Sequence, residues 1–245
     1  MRHLAILACV MSGLLCLGGP AGSEEKPAVK KDTFEGAEGK KRAKAARIRS
    51  IKNLEQIGLA LINHADSDAN SLLPAVAIYD KDDKALLSWR VTLLPYLDQK
   101  KLYDEFKLDE AWDSAHNKKL LAKMPKIYAC PVGAAKANHT FYQVFVGKAA
   151  GFEGKKGLRF PAAFTDGTSN TILVVEAGED VPWTKPADLV YEAGKKLPVV
   201  GGVFANGFHA VMADGGGLAF PKTLKPKTLE AYITRNGGEK IGKDD

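Results

Sequence analysis

A long amphipathic helix near the start of the folded region constrains this chain more than any other sequence feature. Between residues 41 and 65, apolar side chains recur every three or four positions, which is the spacing of an α-helix that buries one face. The sequence therefore predicts one long helix with a buried stripe. The stripe consists of Ile48, Ile51, Leu54, Ile57, Gly58, Leu61 and Ala65.

Beyond Pro125 the pattern changes to short β-branched and aromatic runs bounded by Gly, Pro, Asn and Asp, which is typical of strands. The turn Asp214–Gly217 separates two such runs and predicts a hairpin. Helices in the first half followed by antiparallel strands in the second predict an α+β fold. The predicted strands are 127–130, 141–146, 172–176 and 208–213.

Short helices are predicted between the long helix and the strands. Ser88 is suited to cap the first of them, and Pro95 is suited to open the next turn. Trp112–Ser114 are suited to cap a helix over residues 114–123, which ends before Pro125. A last helix over 227–235 is followed by Asn236–Gly238, which can supply a left-handed stop.

The first 23 residues are typical of a secretory signal peptide, with an apolar run from Leu4 to Leu17 and small residues before a cut after Ser23. Lipidation at Cys9 or Cys16 is the alternative. Residues 24–40 are charged and poor in apolar side chains, which predicts a disordered tether. Residues 41–245 are then a single folded domain of an exported protein, located in the periplasm or at the cell surface.

A series of motifs between Asn53 and Glu239 resembles the domain-of-unknown-function 1559 family, also labelled SBP_bac_10, of pilin-like secreted proteins typical of planctomycete bacteria. The motifs include NLEQIGLALINHAD, SWRVTLLPYLDQKKLYDEF, WDSAHNKKLLAKMPKIYACP, DGTSNTILVVEAGEDVPWTKPADL and VMADGGGLAF. The resemblance implies a pilin-like architecture, in which a long N-terminal helix packs on an antiparallel sheet with a helical insertion. It supplies no established catalytic residues, and the family's second label implies solute binding. The sequence departs from many members because it lacks the Gly-Phe-Thr-Leu-Ile-Glu start of a prepilin.

The stretch DGTSNTILVVEA, residues 166–177, combines a polar turn with an apolar strand. Asp166 and Gly167 predict a turn in which the Asp side chain bonds the backbone two residues on, and Asn170 can cap exposed backbone groups. Ile172–Val175 predict a strand buried on both faces. Glu176 ends the strand, where Lys185 or another cation can pair with it. Asp214 and Gly215 have the same structural role in the later hairpin.

The loop 181–190 is the predicted binding site, with Trp183, Lys185 and Asp188 as its candidate residues. Prolines stiffen this loop, and an indole on a rigid loop can stack on a sugar or anchor a partner. The alternative is that Trp183 folds back to cover the core.

Catalytic and metal-binding patterns are weak in this chain. A hydrolase would use Ser169 or Cys130 with a His and a carboxylate, but there is no Gly-x-Ser-x-Gly elbow. No His pair has zinc spacing, although Asp166, Glu176, Asp180 and Asp214 could gather at one end of the sheet. We therefore predict a non-enzymatic protein without cofactor or metal.

The net charge of +6 argues only weakly for an anionic partner. The basic stretch 40–52 is suited to peripheral membrane contact, and a solvated helix face is the alternative. No interleaving of basic and aromatic residues indicates nucleic acid. The expected function is structural or adhesive at the cell envelope, through protein or polysaccharide contacts. A soluble solute- or carbohydrate-binding protein and an envelope hydrolase are the alternatives.

Overall fold

The long helix predicted from the apolar spacing is α1, Gly36–Ser67. The computed structural model describes residues 36–239 and Ile241, so the predicted signal peptide and residues 24–35 of the tether lie outside the described residues. Residues 36–40, assigned to the tether, are helical instead. The two glycines among these five residues weaken the helix, but Arg42 lies 3.6 Å from Glu38 one turn earlier, and such a pair favours it.

The fold is α+β, as predicted. Four further short helices follow α1, and 3₁₀ turns occupy residues 94–97, 121–123, 126–128 and 168–170. The helices are α2 Trp89–Thr92, α3 Lys100–Tyr103, α4 Asn117–Leu120 and α5 Pro226–Ile233. The strands are β1 Ala77–Tyr79, β2 Ala85–Ser88, β3 His139–Gln143, β4 Phe145–Val146, β5 Ile172–Pro182, β6 Leu189–Val190, β7 Gly207–Met212 and β8 Gly217–Pro221.

The main sheet has four antiparallel strands in the order β3-β5-β7-β8. The predicted hairpin around Asp214 is confirmed, since β7 and β8 pair from Gly207–Pro221 to Val211–Gly217. Two smaller pairings lie outside this sheet: β1 and β2 form an antiparallel hairpin, and β4 and β6 pair in parallel.

α1 lies on the main sheet, where β5 and β7 meet its buried stripe. The stripe predicted from the spacing is wrong at its start, because Ile48 is 46% exposed and Ile51 is only half-buried. Gly58 permits the close approach, because a Cβ at this position would lie 2.6 Å from Cγ2 of Val211 on β7. The strand β5 is buried on both faces, as predicted. Leu173 and Val174 pack in the core beneath α1, and Ile172 and Val175 pack in the second core between the sheet and α5.

Several predicted boundaries are wrong. Residues 126–128 form a 3₁₀ turn instead of a strand. In this turn Tyr128 packs in the core against the ring of Trp183. The run 141–146 is divided into β3 and β4. The helix predicted over 114–123 is only α4 and a 3₁₀ turn. α5 ends at Ile233 with an extended Thr234, so Asn236–Gly238 are not its stop.

The predicted capping residues are confirmed. The Ser88 hydroxyl accepts the backbone N–H of Arg90 at the start of α2, and Pro95 lies in the first turn of the 3₁₀ helix 94–97. In the described part of the chain, no helix combines the length and the apolar character needed to cross a membrane.

Candidate functional site

Trp183 is a core residue, so its prediction as an exposed binding residue is wrong and the alternative is confirmed. Its side chain is fully buried. The indole stacks on Tyr128 with 5.9 Å between ring centroids and meets the Phe106 ring edge-on at 5.8 Å. Its Nε1–H donates to the carbonyl of Leu121 at 3.0 Å. The segment 89–128, here named the helical insertion, encloses the indole. The residues next to Trp183 in the sequence give no indication of these contacts.

Asp188 is also internal, which contradicts its prediction as a binding residue. Its carboxylate is 4% exposed and pairs with Arg90 at 2.8 Å. The same Oδ1 accepts the indole N–H of Trp89 at 3.1 Å and the backbone N–H of Val144 at 3.0 Å. Burial raises the pKa of Asp188, and Arg90 opposes that shift. The pair therefore joins the loop 181–190 to α2 and to Val144, the residue between β3 and β4.

Arg90 forms two further side-chain hydrogen bonds inside the protein. Its guanidinium donates to the Ser88 hydroxyl at 2.7 Å and to the carbonyl of Tyr142 at 2.9 Å, and it lies 4.7 Å from the Trp89 ring centroid. Lys185 alone of the predicted binding residues is exposed, and its ammonium lies 5.6 Å from the ring centroid of Trp112. The three predicted residues therefore do not form a common surface.

Glu176 lies in a buried polar network instead of pairing with Lys185. Its Oε2 accepts the backbone N–H of His209 at 2.9 Å and lies 3.0 Å from Nδ1 of the same residue. The Ser50 hydroxyl donates to Oε1 of Glu176 and lies 2.8 Å from the Tyr142 hydroxyl. Since all four side chains are buried, the network joins α1 to β3, β5 and β7 and offers no surface to a substrate.

The turn at Asp166 has a structural role, but its partner differs from the prediction. The Asp166 carboxylate accepts the backbone N–H groups of Gly237 and Gly238 at 2.6 and 3.0 Å, so it holds the segment after α5. Gly167 has a φ of +100°, which favours glycine. The Asn170 amide donates to the carbonyl of Asp166 at 2.8 Å.

The later turn has the predicted structural role. The Asp214 carboxylate accepts the backbone N–H of Gly216 at 2.8 Å, and Gly215 has a φ of +86°. In the described part of the chain, no three His, Cys, Asp or Glu side chains converge as a metal site. Asp166, Glu176 and Asp214 have separate hydrogen-bond partners, and Asp180 accepts the backbone N–H of Lys136 at 2.6 Å.

The structure does not bring the two candidate nucleophiles to a histidine. Across residues 36–239, neither Ser169 nor Cys130 forms a hydrogen bond with a His side chain, and each of the four described histidines has another neighbour. His64 contacts the carbonyl of Leu72, His116 the carbonyl of Glu105, His139 the carboxylate of Asp180, and His209 the carboxylate of Glu176.

Cys130 is expected to react slowly with alkylating reagents. Burial raises the pKa of its thiol, although nearby backbone N–H groups, including that of Val132, oppose the shift. Less thiolate is therefore present at neutral pH than in the unfolded chain. The test is the iodoacetamide reaction rate against pH for the chain from Glu24 onward, whose only cysteine is Cys130, with the same chain in guanidinium as the control. Native alkylation as fast as in guanidinium would instead indicate an activated thiol.

A cleft of about 650 Å³ lies beside the second half of α1 and is here named the helix cleft. One wall is the outer side of α1, and the other walls are residues 96–99 and 123–127. The cleft is open along one side. Its lining consists of Gln56, Leu59, Ala60, Asn63, Tyr96, Leu97, Asp98, Gln99, Lys123, Met124, Pro125, Lys126 and Ile127.

Five polar side chains in the helix cleft have no hydrogen-bond or ion-pair partner among the described residues: Gln56, Asn63, Asp98, Gln99 and Lys126. Lys123 differs, because its ammonium pairs with Glu105 at 2.5 Å. Tyr96 is fixed in place, since its hydroxyl lies 2.6 Å from the Ser67 hydroxyl and its ring is 5.4 Å from that of His64. The cleft therefore combines a fixed aromatic ring with donors and acceptors that no other described side chain satisfies.

Sequence reasoning missed the helix cleft because three separate segments form it. Gln56 and Asn63 are two polar positions on the exposed face of an amphipathic helix, where polar residues are ordinary. Asp98 has a φ of +58° at the end of the 3₁₀ helix 94–97, a conformation uncommon outside glycine. No spacing in the sequence connects these positions.

A family model described as SBP_bac_10, protein of unknown function (DUF1559), matches residues 40–161. The match includes α1 from Lys40 onward and the segment up to β4, and therefore every residue that lines the helix cleft. No curated protein and no solved structure matches the chain.

Proposed function

This chain belongs to the SBP_bac_10 family, proteins of unknown function (DUF1559), and on that premise we propose that it is an exported, non-catalytic protein of the cell envelope that binds polysaccharide through the helix cleft. The observation that carries the proposal is the convergence of five unpartnered polar side chains around Tyr96. The N-terminal pattern of residues 1–23 supports export.

The chemistry of the helix cleft suits sugar hydroxyl groups. The amides of Gln56, Asn63 and Gln99 each offer donors and an acceptor, and a carboxylate such as that of Asp98 accepts from hydroxyl groups. The Tyr96 ring supplies an apolar face for the C–H side of a sugar ring. Asp98 and Lys126 have opposite charges, and Glu105 neutralises Lys123, so a neutral polysaccharide fits better than a strongly anionic one.

The shape of the cleft favours a polymer over a small solute. A solute-binding protein normally encloses most of its ligand, whereas the helix cleft is open along one side. A second groove of about 450 Å³ lies on the other side of the α1 ridge and shares Gln56 and Leu59 with the cleft. A long chain can therefore continue across α1 from one concave surface to the next.

Replacing Gln56 and Asn63 together with alanine is expected to weaken polysaccharide binding by about 5- to 150-fold, because each lost hydrogen bond contributes about 0.5–1.5 kcal/mol. Both side chains are exposed on α1, and alanine is the best helix former, so folding is not weakened. The measurement is affinity electrophoresis in gels that contain hydroxyethyl cellulose, xylan or alginate, with pulldown on peptidoglycan sacculi.

The matched control is Asp66→Ala, an exposed substitution on the same helix outside the helix cleft. It should bind like the unchanged chain. If no polysaccharide retards the protein, or if the double variant and the control are retarded equally, the proposal is wrong. Retardation of the unchanged chain by a protein and by no polysaccharide, with loss of that retardation in the double variant, would assign the site to protein contacts.

A further inference from the structure

The first half of α1 carries the whole net charge of the chain. The chain has 35 basic and 29 acidic side chains. Seven of the basic side chains and one of the acidic ones lie between residues 36 and 52, which leaves 28 basic and 28 acidic side chains elsewhere. The single acid, Glu38, lies 3.6 Å from Arg42. The other six cations have no acidic partner among the described residues: Lys40, Lys41, Lys44, Arg47, Arg49 and Lys52.

Packing of α1 fixes the direction in which these cations point. Ala43, Ala46 and Ser50 are buried, and Ala46 belongs to a cluster with Phe141 and Phe204 on the domain. The opposite side is therefore turned to solvent. The exposed cations, here named the basic face, are Lys40, Lys41, Arg42, Lys44, Arg49 and Lys52.

An apolar side chain lies in the middle of the basic face. Ile48 is 46% exposed, and it shares one side of the helix with Lys41 and Lys52, seven residues before it and four after it. A soluble polyanion would meet only the charges of this face. A bilayer interface accommodates both the cations, at the headgroups, and an apolar side chain between them.

We propose that the basic face of α1 docks on a bilayer that contains anionic phospholipid. Because residues 40–52 span only about 18 Å of helix, their cations reach one lipid surface together, and polybasic segments are attracted to anionic leaflets within roughly a Debye length. The sequence upstream agrees with this placement. Its apolar run ends at Leu17, nineteen residues before Gly36, so the basic face follows the segment that predicts export across a membrane.

The test is cosedimentation with vesicles of 30% phosphatidylglycerol and 70% phosphatidylcholine, against vesicles of phosphatidylcholine alone. The protein is the chain from Glu24 onward, which retains every described residue and omits the apolar run. It should bind the anionic vesicles only, and added salt should weaken the binding. No binding to anionic vesicles, or equal binding to neutral ones, overturns the proposal.

The decisive variant is Lys41→Glu/Lys44→Glu/Arg49→Glu, which should weaken vesicle binding on the order of 100-fold or more. Glutamate forms helix about as well as lysine and arginine do, so α1 is retained. The matched control is Lys195→Glu/Lys196→Glu/Lys227→Glu, which changes the net charge equally at exposed positions elsewhere and should bind like the unchanged chain.

Equal losses in the two variants would show that net charge decides binding, which contradicts the proposal. Capture by single-stranded DNA or polyphosphate without vesicle binding would assign the basic face to a soluble polyanion and also contradict it. Circular dichroism and the melting temperature serve to check that both variants are folded. Polysaccharide binding at the helix cleft should be unchanged in both, so the two proposals fail separately.

Discussion

Replacing Asp188 with asparagine will lower the free energy of unfolding by about 3–5 kcal/mol, because it leaves a buried charge without its partner. Arg90 is fully buried, and Asp188 at 2.8 Å is its only carboxylate neighbour among the described ion pairs. Asparagine keeps the shape of the side chain but removes the negative charge. The measurement is urea unfolding followed by circular dichroism, in which the midpoint should fall while the slope stays constant.

Two further variants separate the charge from the packing at this site. Asp104→Asn removes the carboxylate of an exposed pair with Lys100, whose side chains are 55% and 71% exposed, and should change stability little. Replacing Arg90 by methionine together with Asp188 by leucine removes both charges and should recover part of the loss. If Asp188→Asn lowers the free energy of unfolding no more than Asp104→Asn does, the buried pair of Arg90 and Asp188 does not stabilise the fold.

The Trp183→Ala variant is expected to lose about 3–5 kcal/mol, the usual cost of deleting a large aromatic side chain from a core. The indole packs between Tyr128 and Phe106, so its removal leaves a cavity between the helical insertion and the end of β5. The carbonyl of Leu121 also loses its donor. Thermal and urea unfolding should both show the loss.

The control for this variant is Trp112→Ala, since Trp112 is only half-buried and lies beneath Lys185. Its loss should be clearly smaller. Trp183→Phe, which keeps an aromatic ring but not the N–H donor, should fall between the unchanged chain and the alanine variant. A Trp183→Ala protein as stable as the unchanged chain would contradict the core assignment and restore the loop 181–190 as a candidate binding surface.

Sequence reasoning located the main elements of this fold where the signal is local. The apolar spacing gave α1 to within a few residues at either end, and the turn at Asp214 gave the β7–β8 hairpin. The unbroken run Ile172–Val175 indicated a strand buried on both faces, which β5 is. Each of these signals lies within one helix or hairpin. There the backbone geometry alone decides which residues lie on the same side of the element.

The same reasoning failed at residues whose surroundings come from distant segments. Tyr128 lies in a run that is typical of a strand, and Trp183 lies in a loop that is typical of a binding site. The two rings nevertheless stack on one another in the core. Glu176 was expected to pair with a nearby cation, but its partners Ser50 and His209 lie on α1 and β7. A single sequence contains no information on which distant side chain neutralises a buried charge.

The sequence by itself determined the α+β order, the long helix, the hairpin and the concentration of charge in residues 36–52, because helix period, turn chemistry and charge are local properties. Only the tertiary structure decided that Trp183 and Asp188 are internal and that Gln56, Asn63 and Asp98 line one cleft. The physical reason is burial. A side chain's exposure depends on what the rest of the chain packs against it, and the same indole or carboxylate binds a ligand when exposed and stabilises a core when enclosed.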